Sequence, residues 1–122
     1  MKLGVRVGAI FVTVLALGAT RGTAEDPARA AEIAERAKEA HRRNDWKEAM
    51  RLADEAVQLD PRNALAYGIR GAARFSPGEF VQAVEDLTRA LELDPGAGSW
   101  RVIRANAYLA LGRYRLAFDD AD

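Results

Sequence analysis

Residues 46–61 read WKEAMRLADEAVQLDP, and residues 80–95 read FVQAVEDLTRALELDP. The second stretch repeats the first at a 34-residue offset, and alanine, leucine, aspartate and proline recur at matching places in both. A third copy begins at Tyr114, after the same offset, with Ala117 at the place of the first shared alanine. Self-similarity at a fixed period of this size is typical of stacked helical repeats. The alternatives are a helical-pair repeat of slightly different length and a four-helix bundle, although a bundle has no reason to keep a strict period.

Helix-forming segments alternate with breaks along the chain from residue 26 onward. Asp26 and Pro27 are a start signal, because aspartate caps a helix N-terminus and proline is tolerated in the first turn. Asn44, Gly78 and Gly112 recur at the repeat period, where each unit needs a tight bend, and each adopts positive φ readily. The predicted helices are 28–43, 46–59, 64–75, 79–93, 99–111 (capped by Ser99) and 113–122.

Small residues recur where neighbouring helices must approach closely. Gly71 in mid-helix costs about 1 kcal/mol relative to alanine, and its counterparts one repeat away are Ala37 and Ala105. A small side chain at this place therefore indicates close contact between two helix backbones. The positions predicted to pack the repeats are Ala37, Trp46, Ala49, Ala56, Pro61, Gly71, Phe80, Ala83, Ala90, Pro95, Ala105, Tyr114 and Ala117.

The N-terminal segment, residues 1–24, has the layout of a secretory signal peptide. Lys2 and Arg6 precede an uncharged run at 7–19, and small residues at 22–24 come before the expected cleavage site. The alternative is an uncleaved membrane anchor, but a helix of this run spans roughly 20 Å, less than the ~30 Å hydrocarbon core. The sequence therefore predicts export to the periplasm or the exterior, with membrane contact only during translocation.

The composition argues against several functional classes. The 18 basic and 18 acidic side chains give no positive excess for binding nucleic acid. There is no cysteine for a disulfide, a thiolate zinc site or a nucleophile, and the single histidine, His41, leaves little for acid–base or metal chemistry. Asp119, Asp120 and Asp122 are interpreted as a solvated helix end. The sequence predicts no catalytic residue, no cofactor and no metal site.

The repeat resembles the tetratricopeptide repeat, a 34-residue helix–turn–helix unit. The resemblance covers units 30–63 and 64–97 and an incomplete unit 98–122, and the alanines and prolines typical of the second helix are present. The first-helix signature differs, since its leucine–glycine pair is replaced by Arg36-Ala37, Arg70-Gly71 and Arg104-Ala105. The resemblance implies an all-α, right-handed superhelical solenoid over residues 25–122 and, with the signal, an exported protein of bacterial type.

In this family the first helix of each unit lines the concave side, so the resemblance implies a partner-binding groove there. The groove residues it implies are Lys38, His41, Leu65, Phe75, Val102, Asn106 and Leu109. Lys38, His41 and Arg42 are expected to form a cationic edge. Some family members hold an acidic C-terminal tail with lysine, asparagine and arginine, but Ala72 and Ile103 occupy such places here.

We therefore expect the groove to take an extended or helical segment with apolar anchors rather than a terminal carboxylate. The alternative is that the apolar residues belong to the core or are covered by a further helix.

Two functions follow from this interpretation. The first is a non-enzymatic, exported scaffold or adaptor whose groove binds a partner protein or peptide. The second is an N-terminal docking or self-association module of a longer exported protein whose remaining part carries the activity. The sixth helix is amphipathic and short, and terminal repeats need a polar cap. We therefore expect either a continuing chain or self-association through this helix.

Overall fold

The computed structural model describes residues 24–121, which fold into six α-helices joined by short turns. The helices are α1 (Pro27–Arg42), α2 (Trp46–Leu59), α3 (Ala64–Phe75), α4 (Phe80–Leu93), α5 (Gly98–Ala110) and α6 (Tyr114–Ala121). Residues 1–23 of the predicted signal peptide lie outside the described range. Within that range, no helix has both the length and the apolar character required to cross a bilayer.

Short polar side chains start the first three helices. Asp26, Asp45 and Asn63 each accept a hydrogen bond from the backbone N–H three residues further on, at 3.1, 3.2 and 2.8 Å. Such caps satisfy N–H groups that have no partner in the first turn of a helix. The starts of α1, α2 and α3 therefore follow from local sequence.

The start of α5 differs from the sequence prediction. Ala97 is the N-cap residue, and Ser99 lies inside the first turn and makes no capping hydrogen bond. The loop before α5 turns tightly, with the N–H of Ala97 donating to the Asp94 carbonyl at 3.2 Å. The prediction that Ser99 caps this helix is therefore wrong, because the tight turn lets the helix begin earlier.

The bend inside each helical pair is made by a residue with positive φ. The φ angles are 64° at Asn44, 86° at Gly78 and 75° at Gly112. This conformation is costly for most side chains and accessible to glycine and asparagine. The predicted bend positions are confirmed, and their 34-residue spacing sets the length of each unit.

The helices stack as three successive pairs. α1 packs on α2, α3 on α4 and α5 on α6, while α2 contacts α3 and α4 contacts α5. The first helices also contact one another, α1 with α3 and α3 with α5. This pattern is an all-α helical repeat solenoid in which α1, α3 and α5 line one side.

Alanine and glycine dominate the contacts between these helices. The fully buried alanines among the predicted packing residues are Ala37, Ala49, Ala56, Ala83 and Ala90, and Ala105 and Ala117 are nearly so. A Cβ added at Gly71 would lie only 2.8 Å from Leu87 Cγ and 3.1 Å from the Ala83 carbonyl oxygen. Glycine at this place therefore allows α3 and α4 to approach closely.

The larger predicted packing residues are less enclosed. Trp46 and Phe80, the first residues of α2 and α4, are half-buried, and Pro61 and Pro95 are exposed in the loops. Tyr114, the equivalent first residue of α6, is 69% exposed. No helix among the described residues packs on that face of α6, so the third unit leaves its aromatic side chain in solvent.

Candidate binding groove

The first helices enclose a cavity of about 500 Å³ on the side that they share. Its apolar wall is formed by Leu65, Ile69 and Ala72 of α3 and by Trp100 and Ile103 of α5. Its polar wall is formed by Glu35, Lys38 and His41 of α1, Asp94 and Ser99. We call this cavity the groove.

Three of the residues implied by the family resemblance lie in the groove: Lys38, His41 and Leu65. Val102, Asn106 and Leu109 instead line a second cavity, of about 400 Å³, between α5 and α6. Phe75 packs edge-on against Phe80, with ring centroids 5.0 Å apart at 74°. The structure therefore divides the predicted set among three places.

The division has two causes. Asn106 and Leu109 are at the repeat positions of Lys38 and His41, but among residues 24–121 no further first helix follows α5, so they line the cavity with α6 instead.

Val102 differs because neighbouring residues on an α-helix point about 100° apart. Ala34, Gly68 and Val102 are equivalent positions, on the side of each first helix that faces the following one. The first two are buried, whereas Val102 is exposed because no further first helix follows α5 among residues 24–121. Positions one residue later line the groove: Glu35, Ile69 and Ile103. The spacing of the repeat thus identified the correct helices and, in Lys38, His41 and Leu65, some of the groove residues, but it missed Glu35, Ile69 and Ile103.

Trp100 forms part of the groove by packing over Gly68 of the preceding unit. A Cβ added at Gly68 would overlap the Trp100 ring. The equivalent pair one unit earlier is Ala34 and Ala66, both completely buried. A large side chain on α5 is thus accommodated by the absence of one on α3, and this places an indole in the groove wall.

The expected cationic edge is largely compensated by carboxylates. Lys38 Nζ lies 3.6 Å from Glu35 Oε1. Arg42 donates two hydrogen bonds to Glu39, at 3.1 and 2.8 Å. Burial lowers the pKa of His41 below its usual value, which favours the neutral form of the imidazole. The edge predicted as cationic therefore carries little net positive charge.

Arg70 joins three helices through ion pairs that the sequence analysis did not predict. Its Nε and Nη2 donate to both carboxylate oxygens of Asp86 on α4, each at 2.9 Å, and Nη1 donates to Asp54 on α2 at 2.9 Å. Arg74 Nε lies 3.2 Å from the same Asp86 carboxylate. The hydrogen bond with Asp86 raises the pKa of Arg70. The guanidinium thus ties α3 to the second helix of its own unit and of the preceding unit.

Arg104 repeats this arrangement one unit later. It donates two hydrogen bonds to Asp120 on α6, at 2.7 and 2.6 Å, and one to Thr88 Oγ1 on α4 at 3.0 Å. The interpretation of Asp120 as a solvated residue is therefore wrong. The available sequence signal was an arginine at i and an aspartate at i+16, recurring one repeat later. In the first unit Leu52 takes the place of the aspartate.

These arginines occupy the places where the family pattern has leucine, and they connect helices by bidentate hydrogen bonds. Among residues 24–121, no group of three or more histidine, aspartate or glutamate side chains is arranged to hold a metal ion. The groove has an apolar wall, an indole and a few charged groups at its rim. This composition is typical of a binding surface.

Human serine/threonine-protein phosphatase 5 has a similar sequence. It is 34% identical over 92 residues, which are 75% of this chain but only 18% of the phosphatase. The chain thus spans less than a fifth of the length of this curated relative. None of the protein-family models searched matches the chain.

Two solved structures combine a similar fold with a similar sequence. The TPR2B domain of yeast Sti1, solved as a complex with pHsp70, has a TM-score of 0.69 and 28% identity, covering 75% of this chain and 73% of that one. The TPR domain of Arabidopsis OM64 has a TM-score of 0.69 and 30% identity, covering 75% of each chain. Together with the repeated helical pairs, this match shows that the chain belongs to the tetratricopeptide repeat family.

Proposed function

We propose that this chain is a non-enzymatic protein-interaction scaffold whose groove binds an extended or helical segment of a partner protein. The observation that carries the proposal is the concave cavity between α1, α3 and α5, with an apolar wall and a polar rim. Peptide sites of this kind take apolar side chains as anchors and use a few polar groups for orientation. The TPR2B domain of yeast Sti1, solved as a complex with pHsp70, supports a protein-interaction role in general.

The groove chemistry favours an apolar segment with basic residues over an acidic C-terminal tail. A terminal carboxylate needs several cationic or amide donors, whereas Ile69, Ala72 and Ile103 form an apolar surface. Lys38 is already close to a carboxylate, Glu35. The rim of the groove thus carries two carboxylates, of Glu35 and Asp94, and one ammonium group, of Lys38. A lysine or arginine next to an apolar anchor therefore matches the groove in both charge and polarity.

Selection from a random displayed-peptide library tests this proposal. We expect the folded chain to enrich peptides that combine a large apolar residue with lysine or arginine. Replacing Leu65 with glutamate should remove their binding, because it puts a charge in the apolar wall. Val81→Glu is the matched control, since Val81 is an exposed apolar residue on α4 outside the groove. Circular dichroism of each variant checks that the helices are intact.

The rim charges provide a second arm of the same experiment. The double change Glu35→Lys and Asp94→Lys should lower the affinity for the selected basic peptides by about tenfold, which is roughly 1.4 kcal/mol of binding free energy. Enrichment of peptides with acidic C-termini, or equal loss of binding in Val81→Glu, would contradict the proposed ligand chemistry.

We also propose that the protein is exported and that residues 1–24 are cleaved. The positive start, the apolar run and the small residues before Glu25 support this. In a bacterial host, the full chain should yield a periplasmic product whose N-terminal sequence begins at Glu25. A full-length product retained in the membrane fraction would instead indicate an uncleaved anchor.

The second candidate function is a docking module within a longer exported protein. It is favoured by the human phosphatase, in which the matching segment is 18% of the polypeptide. The mass of the protein purified from its natural source separates the two functions, because a module of this kind would be found in a much heavier chain.

A further inference from the structure

Trp100 of α5 lies with one face of its indole ring against the backbone of α3. A Cβ added at Gly68 would overlap Cε2, Cζ2 and Cδ2 of that ring. An edge-on approach to Cε2 would bring the indole Nε1 closer than Cδ2, so these three atoms indicate that the flat face of the six-membered ring lies on the glycine. Trp100 is half-buried and borders the groove. The uncovered part of the indole therefore faces the groove.

The carboxylate of Asp94 lies at the same end of the groove as this indole. Two consecutive turns connect the two residues: the N–H of Ala97 donates to the Asp94 carbonyl, and the N–H of Trp100 donates to the Ala97 carbonyl, each at 3.2 Å. The side chains of Asp94 and Trp100 both border the groove. An aromatic ring and a carboxylate are thus held close together by the loop that leads into α5.

Asp94 has no cationic partner within the part of the chain that the structure describes. Glu35, the other carboxylate at the rim, lies next to Lys38, whereas Asp94 takes part in none of the salt bridges there. Arg101 donates instead to the Pro95 carbonyl at 2.8 Å. Asp94 also ends α4, whose last turn contains no basic side chain, so the negative end of the helix dipole adds to the charge of the carboxylate. This end of the groove is therefore suited to a cation.

We propose that Trp100 and Asp94 form a subsite that selects an arginine side chain in the segment bound by the groove. This inference rests on the proposed function and specifies its ligand further. The guanidinium stacks on the uncovered indole and donates to the Asp94 carboxylate. A guanidinium is planar, weakly hydrated and matched to a carboxylate by its fork of N–H groups, whereas the ammonium of lysine is compact and strongly hydrated. The subsite therefore prefers arginine to lysine.

Gly68 is a positioning residue for this subsite, since it lets the indole lie on α3 without itself contacting the ligand. Gly68→Ala should displace the ring, because the added Cβ would overlap it. The variant keeps the tryptophan and should lose the preference for arginine. Gly98→Ala is the matched control, because a Cβ at Gly98 would meet no atom within 4 Å. Circular dichroism of both variants checks that the helices are intact.

An array of capped peptides tests the subsite. Each set shares a leucine anchor and flanking residues, and its members differ only in carrying arginine, lysine, citrulline or glutamate two residues after the leucine. We expect arginine members to bind the folded chain about tenfold more tightly than lysine members. Trp100→Leu should remove this preference. Asp94→Asn should remove the preference for arginine over citrulline, which has a similar planar group without the charge.

Tryptophan fluorescence gives a direct readout of the same contact. The chain has two tryptophans, and Trp46→Phe leaves Trp100 as the only one. Phenylalanine is suited to that place, since Phe80 is its counterpart in the next unit. Titration of this variant with the arginine peptides should change the Trp100 emission until the groove is saturated. Binding without any change in this emission would overturn the subsite.

The outcomes separate the subsite from the groove as a whole. Equal affinity for arginine and lysine members, or an arginine preference that survives Trp100→Leu, would overturn the subsite alone, as long as Leu65→Glu still abolishes binding. A merely structural role of Trp100 would also be distinguished, because its replacement would then lower the affinity for every member of a set equally. If no member of any set bound the folded chain, the proposed function would fail together with the subsite.

Discussion

Replacing Asp86 with alanine is expected to lower the free energy of unfolding by about 3 kcal/mol, as for the loss of one partner of a buried ion pair. The Asp86 side chain is only 9% exposed and lies between two arginines. Its removal leaves Arg70 and Arg74 in a half-buried position without their shared carboxylate. Arg70 then keeps only the exposed Asp54 as a partner. Partly desolvated charges that lose a buried carboxylate are costly, so the penalty exceeds that of a surface salt bridge. Urea unfolding followed by circular dichroism measures the change.

Asp54→Ala is the matched control for this prediction. Asp54 also accepts a hydrogen bond from Arg70 at 2.9 Å, but its side chain is 52% exposed. Exposed pairs contribute about 0–1 kcal/mol, and Arg70 would keep both of its bonds to Asp86. Equal destabilisation by the two substitutions would mean that burial does not decide the strength of this network.

Replacing Ala83 with arginine is expected to unfold the repeat array. Ala83 is completely buried where α4 meets α3. Its carbonyl oxygen lies 3.1 Å from the place that a Cβ at Gly71 would occupy. An arginine there combines overpacking with burial of an unpaired charge, a cost of several kcal/mol. That is a large part of the roughly 5–15 kcal/mol that typically holds a domain together. Circular dichroism at increasing temperature should show lost helicity or a sharply lowered midpoint.

Ala31→Arg is the corresponding control, because Ala31 is an exposed alanine in the middle of α1. Arginine is nearly as good a helix former as alanine, so this change should leave the midpoint almost unaffected. An unchanged midpoint in Ala83→Arg would show that α3 and α4 do not pack as described.

The groove and the α5–α6 face give this chain two surfaces with different chemistry. The groove combines an indole and aliphatic side chains with a slightly acidic rim. The α5–α6 face combines the exposed aromatic residues Tyr114 and Phe118 with aliphatic side chains of α5.

Local sequence determined the elements of this fold and their period. Capping residues such as Asp45 and Asn63 start helices. Asn44, Gly78 and Gly112 form the turns between the two helices of each unit. Both effects involve residues only a few positions apart. The repeat period then predicted the pairing of the helices, which the structure confirms.

Tertiary packing alone decided which residues face the groove and which ion pairs connect the units. One residue of shift turns a helical side chain by about 100°, so repeat spacing could not separate Val102 from Ile103 until α3 and α5 were placed together. In the same way, Arg70 meets Asp86 only because the two helices that carry them lie side by side. The repeat was readable because it depends on backbone geometry within each unit. The site could be predicted only in part, through Lys38, His41 and Leu65, because the remaining groove residues depend on the angle at which one unit packs on the next.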